Sequence, residues 1–129
     1  MNNELVKRKE LAFQLYELLD TESLCGRERF VEHNRETFNA VLDIANKIAT
    51  EKFATHNAKG DANEPTFDGQ KVHMIPEVKE AFDAYVESGL IAGRFDFDEG
   101  GMQLPESVMA ACNGFFTAAN PGTAGYPFL

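Results

Sequence analysis

Apolar residues recur every three or four positions along the first half of the chain, which is the spacing of amphipathic helices. A first helix is predicted from about Asn3 to Leu19, where leucines alternate with lysine and glutamate. A second is predicted from about Arg35 to Thr55, with Asn34 as its N-cap and one apolar stripe between Phe38 and Phe53. The polar segment from Asp20 to Gly26 is expected to end the first helix and to separate it from the second.

The second half of the chain predicts two more helices, one on each side of a glycine-containing loop. The third spans about Pro76 to Ser88, because proline suits a first helical turn and Gly89 suits the position after a last one. The fourth begins at Pro105 or Glu106 and ends near Ala118, and its wide apolar face indicates burial on two sides. The segment from His56 to Pro65 is polar and without periodicity, so we expect a loop there.

An Asp-Gly pair at positions 68 and 69 predicts a tight reversal of the chain. Its flanking arms are short, so at most a minimal hairpin is expected near Phe67–Val72. The sequence therefore predicts an all-α fold: an antiparallel bundle of about four to five helices with one long, loop-rich connection.

Length and charge narrow the classes of function. The 129 residues are sufficient for a single domain with its own core, predicted to span residues 1–129. The formal net charge of −9 argues against a nucleic-acid partner, and the basic cluster Lys7-Arg8-Lys9 is interpreted as a solvated helix face. No signal-peptide core or membrane-length apolar run is present in the sequence, so we expect a cytoplasmic protein without a membrane span.

The sequence contains no recognisable catalytic constellation. Asp96-x-Asp98-x-Gly100 begins like a calcium loop, but Gly100 and Ser107 stand where oxygen ligands are required, so the carboxylates are interpreted as loop solvation. The three histidines, His33, His56 and His73, share no metal-ligand spacing and are interpreted as ordinary surface or partly buried residues.

The two cysteines, Cys25 and Cys112, lie far apart in the sequence. Free thiols in a reducing compartment are the favoured interpretation, and a disulfide between the two cysteines is the alternative that the sequence does not exclude. Cys112 falls within the apolar stripe of the fourth helix, which favours a core position over a nucleophile.

Four segments together resemble the acyl-CoA dehydrogenase family. They are the run Glu64 to Val72, the helix Pro76 to Ser88 with the following Gly-Leu-Ile, the loop Gly100-Gly101-x-x-Leu104-Pro105, and the ending Ala119 to Leu129. The pattern is similar to the large bacterial branch that includes the methylmercaptopropionyl-CoA dehydrogenases, in which a leading helix, here Leu5 to Leu19, precedes the N-terminal helical domain. The loop departs from the family, which has an aromatic residue in place of Glu99 and a third glycine in place of Gln103.

The resemblance implies a flavoenzyme that oxidises the Cα–Cβ bond of an acyl-CoA thioester, with FAD accepting the hydride and an electron-transfer acceptor reoxidising the flavin. In the family, FAD and the catalytic base belong to a middle β-domain and a C-terminal helical domain. The chain matches only the N-terminal domain, so we expect those two domains to be absent from it. No catalytic residue, metal or bound FAD is expected in this piece alone, and the full enzyme is expected to be a homo-oligomer.

By resemblance, the segment after the fourth helix lines the acyl pocket, through Thr123, Ala124, Tyr126 and Pro127. The alternative for these residues is an ordinary turn entering a fifth helix. A second hypothesis for the whole chain is a free-standing helical interaction module that associates through an apolar surface near Tyr126–Leu129, with self-association as its expected behaviour. A third, an acyl-CoA carrier bundle, is disfavoured because the acidic balance would repel the CoA phosphates.

Overall fold

The computed structural model describes residues 4–129 and shows an all-α fold, as the sequence predicts. Within these residues six α-helices and one two-stranded hairpin follow each other in the order α1 Arg8–Ala12, α2 Arg35–Ile48, α3 Asn57–Ala62, β1 Thr66–Phe67, β2 Val72–His73, α4 Pro76–Glu87, α5 Glu106–Ala119 and α6 Pro121–Phe128. Two wider π-helical turns extend the first two helices, and short 3₁₀ turns lie in the connections.

The first helix begins later than predicted. Lys7 is extended (φ −69°, ψ 105°), and α1 begins at Arg8, while Leu5 and Val6 pack against the core from a non-helical segment. The predicted start at Asn3 lies outside the described residues. The prediction is wrong for residues 4–7, which are not helical, although the apolar side chains of this segment pack against the core. A π-helical turn over Phe13–Leu18 continues the helix to its predicted end.

The predicted N-cap and stripe of the second helix are confirmed. The Asn34 side chain accepts a hydrogen bond from the backbone N–H of Thr37 at 2.9 Å, and the Thr37 hydroxyl accepts one from the Asn34 N–H at 2.9 Å. This reciprocal pair satisfies two donors that a helix start otherwise leaves free. Beyond Ile48 a π-helical turn over Ala49–Phe53 and a 3₁₀ turn over Ala54–His56 carry the chain to the predicted end.

The prediction of a loop between His56 and Pro65 is wrong over Asn57–Ala62, which forms α3. The helix is short and of low intrinsic propensity, so contacts with other elements contribute to its stability. Lys59 Nζ lies 2.5 Å from the Glu77 carboxylate of α4, and the Asn63 amide donates to the Lys59 carbonyl at 2.8 Å. Such contacts cannot be seen in the local sequence.

The predicted hairpin and third helix are confirmed. Phe67 pairs with Val72 in an antiparallel register, and the Asp68 carboxylate accepts the backbone N–H groups of Gln70 and Lys71 at 2.8 and 2.9 Å. Pro76 stands in the first turn of α4, and Gly89 follows the helix with a φ of 86°, a left-handed conformation that glycine adopts without steric cost.

The core forms where α5 packs against both α2 and α6. Phe116 is fully buried, with its ring centroid 4.8 Å from that of Phe53 and 5.1 Å from that of Tyr85. Val108, Cys112 and Phe116 are fully buried on one broad face of α5. The predicted burial on two sides is wrong, because Ala110 and Thr117 on the opposite face are exposed. Each fully buried apolar side chain of this size contributes about 1.5–3 kcal/mol to folding.

Candidate functional site

A half-open cleft of about 350 Å³ lies among the described residues. Four segments meet there: α3, the base of the hairpin, the start of α4 and the start of α6. This volume lies within the range of small-molecule sites. The side chains and backbone around the cleft belong to Asn57, Gly60, Asp61, Asn63, Glu64, Pro65, Met74, Ile75, Val78, Asn120, Pro121, Gly122, Thr123 and Tyr126.

A buried histidine supports the α6 wall of this cleft. His56 is only 2% exposed, and its Nε2 lies 2.8 Å from the Thr123 hydroxyl, which itself lines the cleft. The second ring nitrogen, Nδ1, has no hydrogen-bond partner among residues 4–129. Because burying an imidazole without partners is costly, the Thr123 contact fixes the ring and the first turn of α6 together.

Asn120 sets the direction in which α6 leaves α5. Its side-chain oxygen accepts the Thr123 N–H at 3.1 Å, and its amide nitrogen donates to the Phe53 carbonyl at 3.1 Å. The residue is 4% exposed, so both contacts are shielded from water. The start of α6 is therefore tied to the π-helical turn that extends α2.

The charges that line the cleft are all negative. Asp61 and Glu64 are the acidic residues of the lining, and neither forms an ion pair within residues 4–129. The nearest lysine on the same helix, Lys59, is engaged by Glu77, and this hydrogen bond lowers the pKa of the Glu77 carboxyl. The cleft thus combines an apolar wall with an acidic rim.

All four residues that the resemblance assigns to an acyl pocket lie in α6. Thr123 and Tyr126 line the cleft, and Tyr126 is 43% exposed. Ala124 is buried on the core side and Pro127 is half-buried, and neither lines the cleft. The alternative interpretation expected a turn at these residues before a fifth helix, whereas they lie within the helix itself. Their role toward an acyl group stays a prediction.

Sequence reasoning missed several residues of the site, among them His56, Asp61 and Met74. A signal for His56 was present, because it follows Phe53 by three positions and so continues the buried face of the second helix. Nothing in the local pattern marked Asp61 or Met74, since their proximity depends on how α3, the hairpin and α6 pack.

The other candidate residues lie outside the cleft. His33 is half-buried, with Nε2 2.8 Å from the Met102 carbonyl, and exposed His73 contacts the Asp68 carboxylate at 2.5 Å. Both cysteines are free, and burial raises the pKa of the Cys112 thiol to about 12. No group of three or more His, Cys, Asp or Glu side chains within residues 4–129 is arranged to hold a metal ion.

The acidic loop that begins like a calcium site is tied to the rest of the fold. Asp96 pairs with Arg29 at 2.5 Å, and Gln103 bridges the same region by donating to the Arg29 carbonyl at 2.7 Å. The Gln103 side chain also accepts the Phe97 N–H at 3.0 Å. Gln103 takes a left-handed conformation, with a φ of 48°.

Neither a family model nor a curated protein matches this chain. Among residues 4–129, no helix has the length and apolar character required to cross a lipid bilayer.

Proposed function

We propose that this chain is the N-terminal helical domain of an FAD-dependent acyl-CoA dehydrogenase and supplies part of the wall of the acyl pocket. The observation that carries the proposal is the conformation of Gln103. The family has a glycine at this position, and Gln103 adopts the left-handed φ of 48° that glycine reaches without cost. The backbone thus follows a glycine-type path although the side chain differs.

Two features of the fold agree with this proposal. A helix with a proline start and a glycine stop, α4, precedes the loop, and a second helix, α6, follows α5 after a single residue. The cleft at the start of α6 has apolar surface from Met74, Ile75 and Tyr126, which suits an acyl chain.

The residues that line the cleft do not fit FAD or the phosphates of CoA. Asp61 and Glu64 line the cleft, and these carboxylates would repel a diphosphate. In the proposed enzyme, FAD held by other domains would supply the hydride acceptor. The role of this chain is to contact the acyl group and to exclude water from one side of it.

The proposal is tested by titrating the ¹⁵N-labelled protein with octanoyl-pantetheine, which carries the acyl group without the CoA phosphates. We expect shifts of the Thr123 and Tyr126 amide signals that saturate in the millimolar range. Tyr126→Ala should weaken binding, whereas Phe95→Ala, which removes an exposed aromatic ring outside the cleft, should not. The absence of shifts at α6, or equal shifts with pantetheine alone, would contradict the proposal, as would flavin absorbance in the purified protein.

A helical interaction module is a second candidate, favoured by exposed apolar side chains on the hairpin. Phe67 and Val72 are paired across the two strands and are 68% and 54% exposed. Large contiguous apolar patches mark contact surfaces, and this pair would be the centre of such a patch. Self-association that is lost in Phe67→Ser would support this function, and a monomer at high concentration by light scattering would oppose it.

A further inference from the structure

The cleft beside α6 has a chemical asymmetry that indicates which ligand it favours. One part of its lining is apolar and accessible: Met74 is 39% and Tyr126 is 43% exposed, and Ile75 and Val78 lie next to them. Two acidic residues also line the cleft: Asp61 in α3 and Glu64 just after this helix. No lysine, arginine or histidine lines the cleft within residues 4–129.

The cationic groups on the surrounding elements are mostly engaged elsewhere. Lys59 of α3 binds Glu77, Lys79 of α4 binds Asp83, and His73 of β2 contacts Asp68. Lys71, in the hairpin loop, does not line the cleft. Within residues 4–129 no cationic side chain pairs with Asp61 or Glu64, and the net charge of −9 for the whole chain also favours a cation over an anion.

We propose that the cleft binds a small amphipathic cation, with its apolar body against Met74, Ile75 and Tyr126 and its positive group beside Asp61 and Glu64. An alkylammonium or alkylsulfonium group has this chemistry, and the Tyr126 ring offers a further contact for a desolvated cation. A carboxylate in the same position would be repelled. The inference rests on the proposed function only for the identity of the natural ligand. In an acyl-CoA dehydrogenase this ligand would be an acyl group with a positive charge at the end far from the thioester.

The charge preference can be measured without flavin or CoA. Hexyltrimethylammonium, hexanol and hexanoate share the apolar body and differ in their charge. We expect the cation to shift the Met74 methyl and Tyr126 amide NMR signals at about fivefold lower concentration than hexanol, because ion pairs with exposed carboxylates add only a small gain in affinity. Hexanoate should bind most weakly. Raising the salt concentration from about 0.01 M to 0.5 M should reduce the difference between cation and alcohol, because the carboxylates are exposed to solvent.

The matched variant is Asp61→Asn with Glu64→Gln, which removes both charges and keeps the side-chain shapes. Cation and alcohol should then bind with equal affinity. Glu80→Gln with Asp98→Asn, two exposed carboxylates that do not line the cleft, should leave the preference unchanged.

The outcomes separate this inference from the proposed function. The inference is overturned if cation and alcohol bind the unmodified protein with equal affinity, or if the preference for the cation persists in the Asp61→Asn, Glu64→Gln variant. In either case octanoyl-pantetheine can still bind, and the proposed function then stands. Binding of the cation at the cleft without any binding of octanoyl-pantetheine supports the inference as a cation site and removes the proposed function. Absence of binding by all three hexyl probes overturns the inference.

Discussion

His56 and Thr123 form a buried hydrogen bond of 2.8 Å between segments that are 67 positions apart in the sequence. His56 belongs to the 3₁₀ turn that ends the second helical segment, and Thr123 lies in the first turn of α6. Both residues are at most 4% exposed. This contact fixes the position of α6, which forms one wall of the cleft, relative to the core.

Replacing Thr123 by valine should destabilise the protein by about 1–3 kcal/mol, because His56 would lose its hydrogen bond at Nε2 while remaining buried. Thr123→Ser retains the hydroxyl and should cost less. Urea unfolding followed by circular dichroism measures both free energies. Equal stability of the valine and serine variants would show that the hydrogen bond contributes nothing.

Asn34→Ala should lower the free energy of unfolding by about 1 kcal/mol, because the capping box at the start of α2 is lost. Asn34→Asp keeps an oxygen acceptor for the Thr37 N–H and serves as the matched control, with stability close to that of the unmodified protein. Thermal unfolding of the three proteins at neutral pH checks the order. An alanine variant as stable as the aspartate variant would contradict this role of the cap.

Gln103→Gly and Gln103→Ala distinguish backbone strain from side-chain bonding. Both variants lose the hydrogen bonds to the Phe97 N–H and the Arg29 carbonyl, but only glycine relieves the left-handed conformation. The glycine variant should therefore be more stable than the alanine variant by about 1–2 kcal/mol. Denaturant titration measures the difference, and an alanine variant of equal stability would argue against strain at this position.

Two glycines should respond to alanine in opposite directions. A Cβ atom on Gly101 would lie 2.1 Å from the Phe95 carbonyl oxygen, whereas one on Gly114 meets nothing within 4 Å. Gly101→Ala should cost about 3 kcal/mol because the backbone has to move. Gly114→Ala, inside α5, should gain up to about 1 kcal/mol through helix propensity. Melting temperatures that change in the same direction would contradict the packing of this loop.

The two thiols should differ in their reactivity toward a disulfide reagent. Burial raises the pKa of both, to about 12 for Cys112, so that at pH 8 this fully buried thiol is almost entirely protonated and also inaccessible. Cys25 is half-buried and should react first, faster as the pH rises. We expect one equivalent of label in the folded protein and two in urea, and none in the folded Cys25→Ser variant. Rapid labelling of Cys112 in the folded state would contradict its core position.

Local signals in the sequence account for much of the fold. Asn34, the Asp-Gly pair at 68 and 69, and Pro76 each act on neighbouring backbone, so their consequences can be predicted from a few residues. The helix α3 could not be predicted in this way, because Lys59 finds Glu77 only after the chain has folded back. The left-handed Gln103 likewise depends on acceptors and donors outside its own segment.

The candidate site was less accessible to sequence reasoning than the fold. Thr123 and Tyr126 were identified through a resemblance, and both line the cleft in the structure. The acidic residues of the cleft were not predicted, because Asp61 and Glu64 lie in a segment that was predicted to be a loop. Convergence of four segments is a tertiary property, and no short pattern encodes it.

Asn120 has a consequence for the interpretation of mutations far from the cleft. Its two buried hydrogen bonds make the angle between α5 and α6 depend on the Phe53 carbonyl, which belongs to a turn that does not line the cleft. Insertion or deletion of a single residue within Ala49–Phe53 would displace that carbonyl and tilt α6. The affinity of the cleft would then change although every side chain that a ligand touches is unaltered, so sequence variation in this turn can tune the site from a distance.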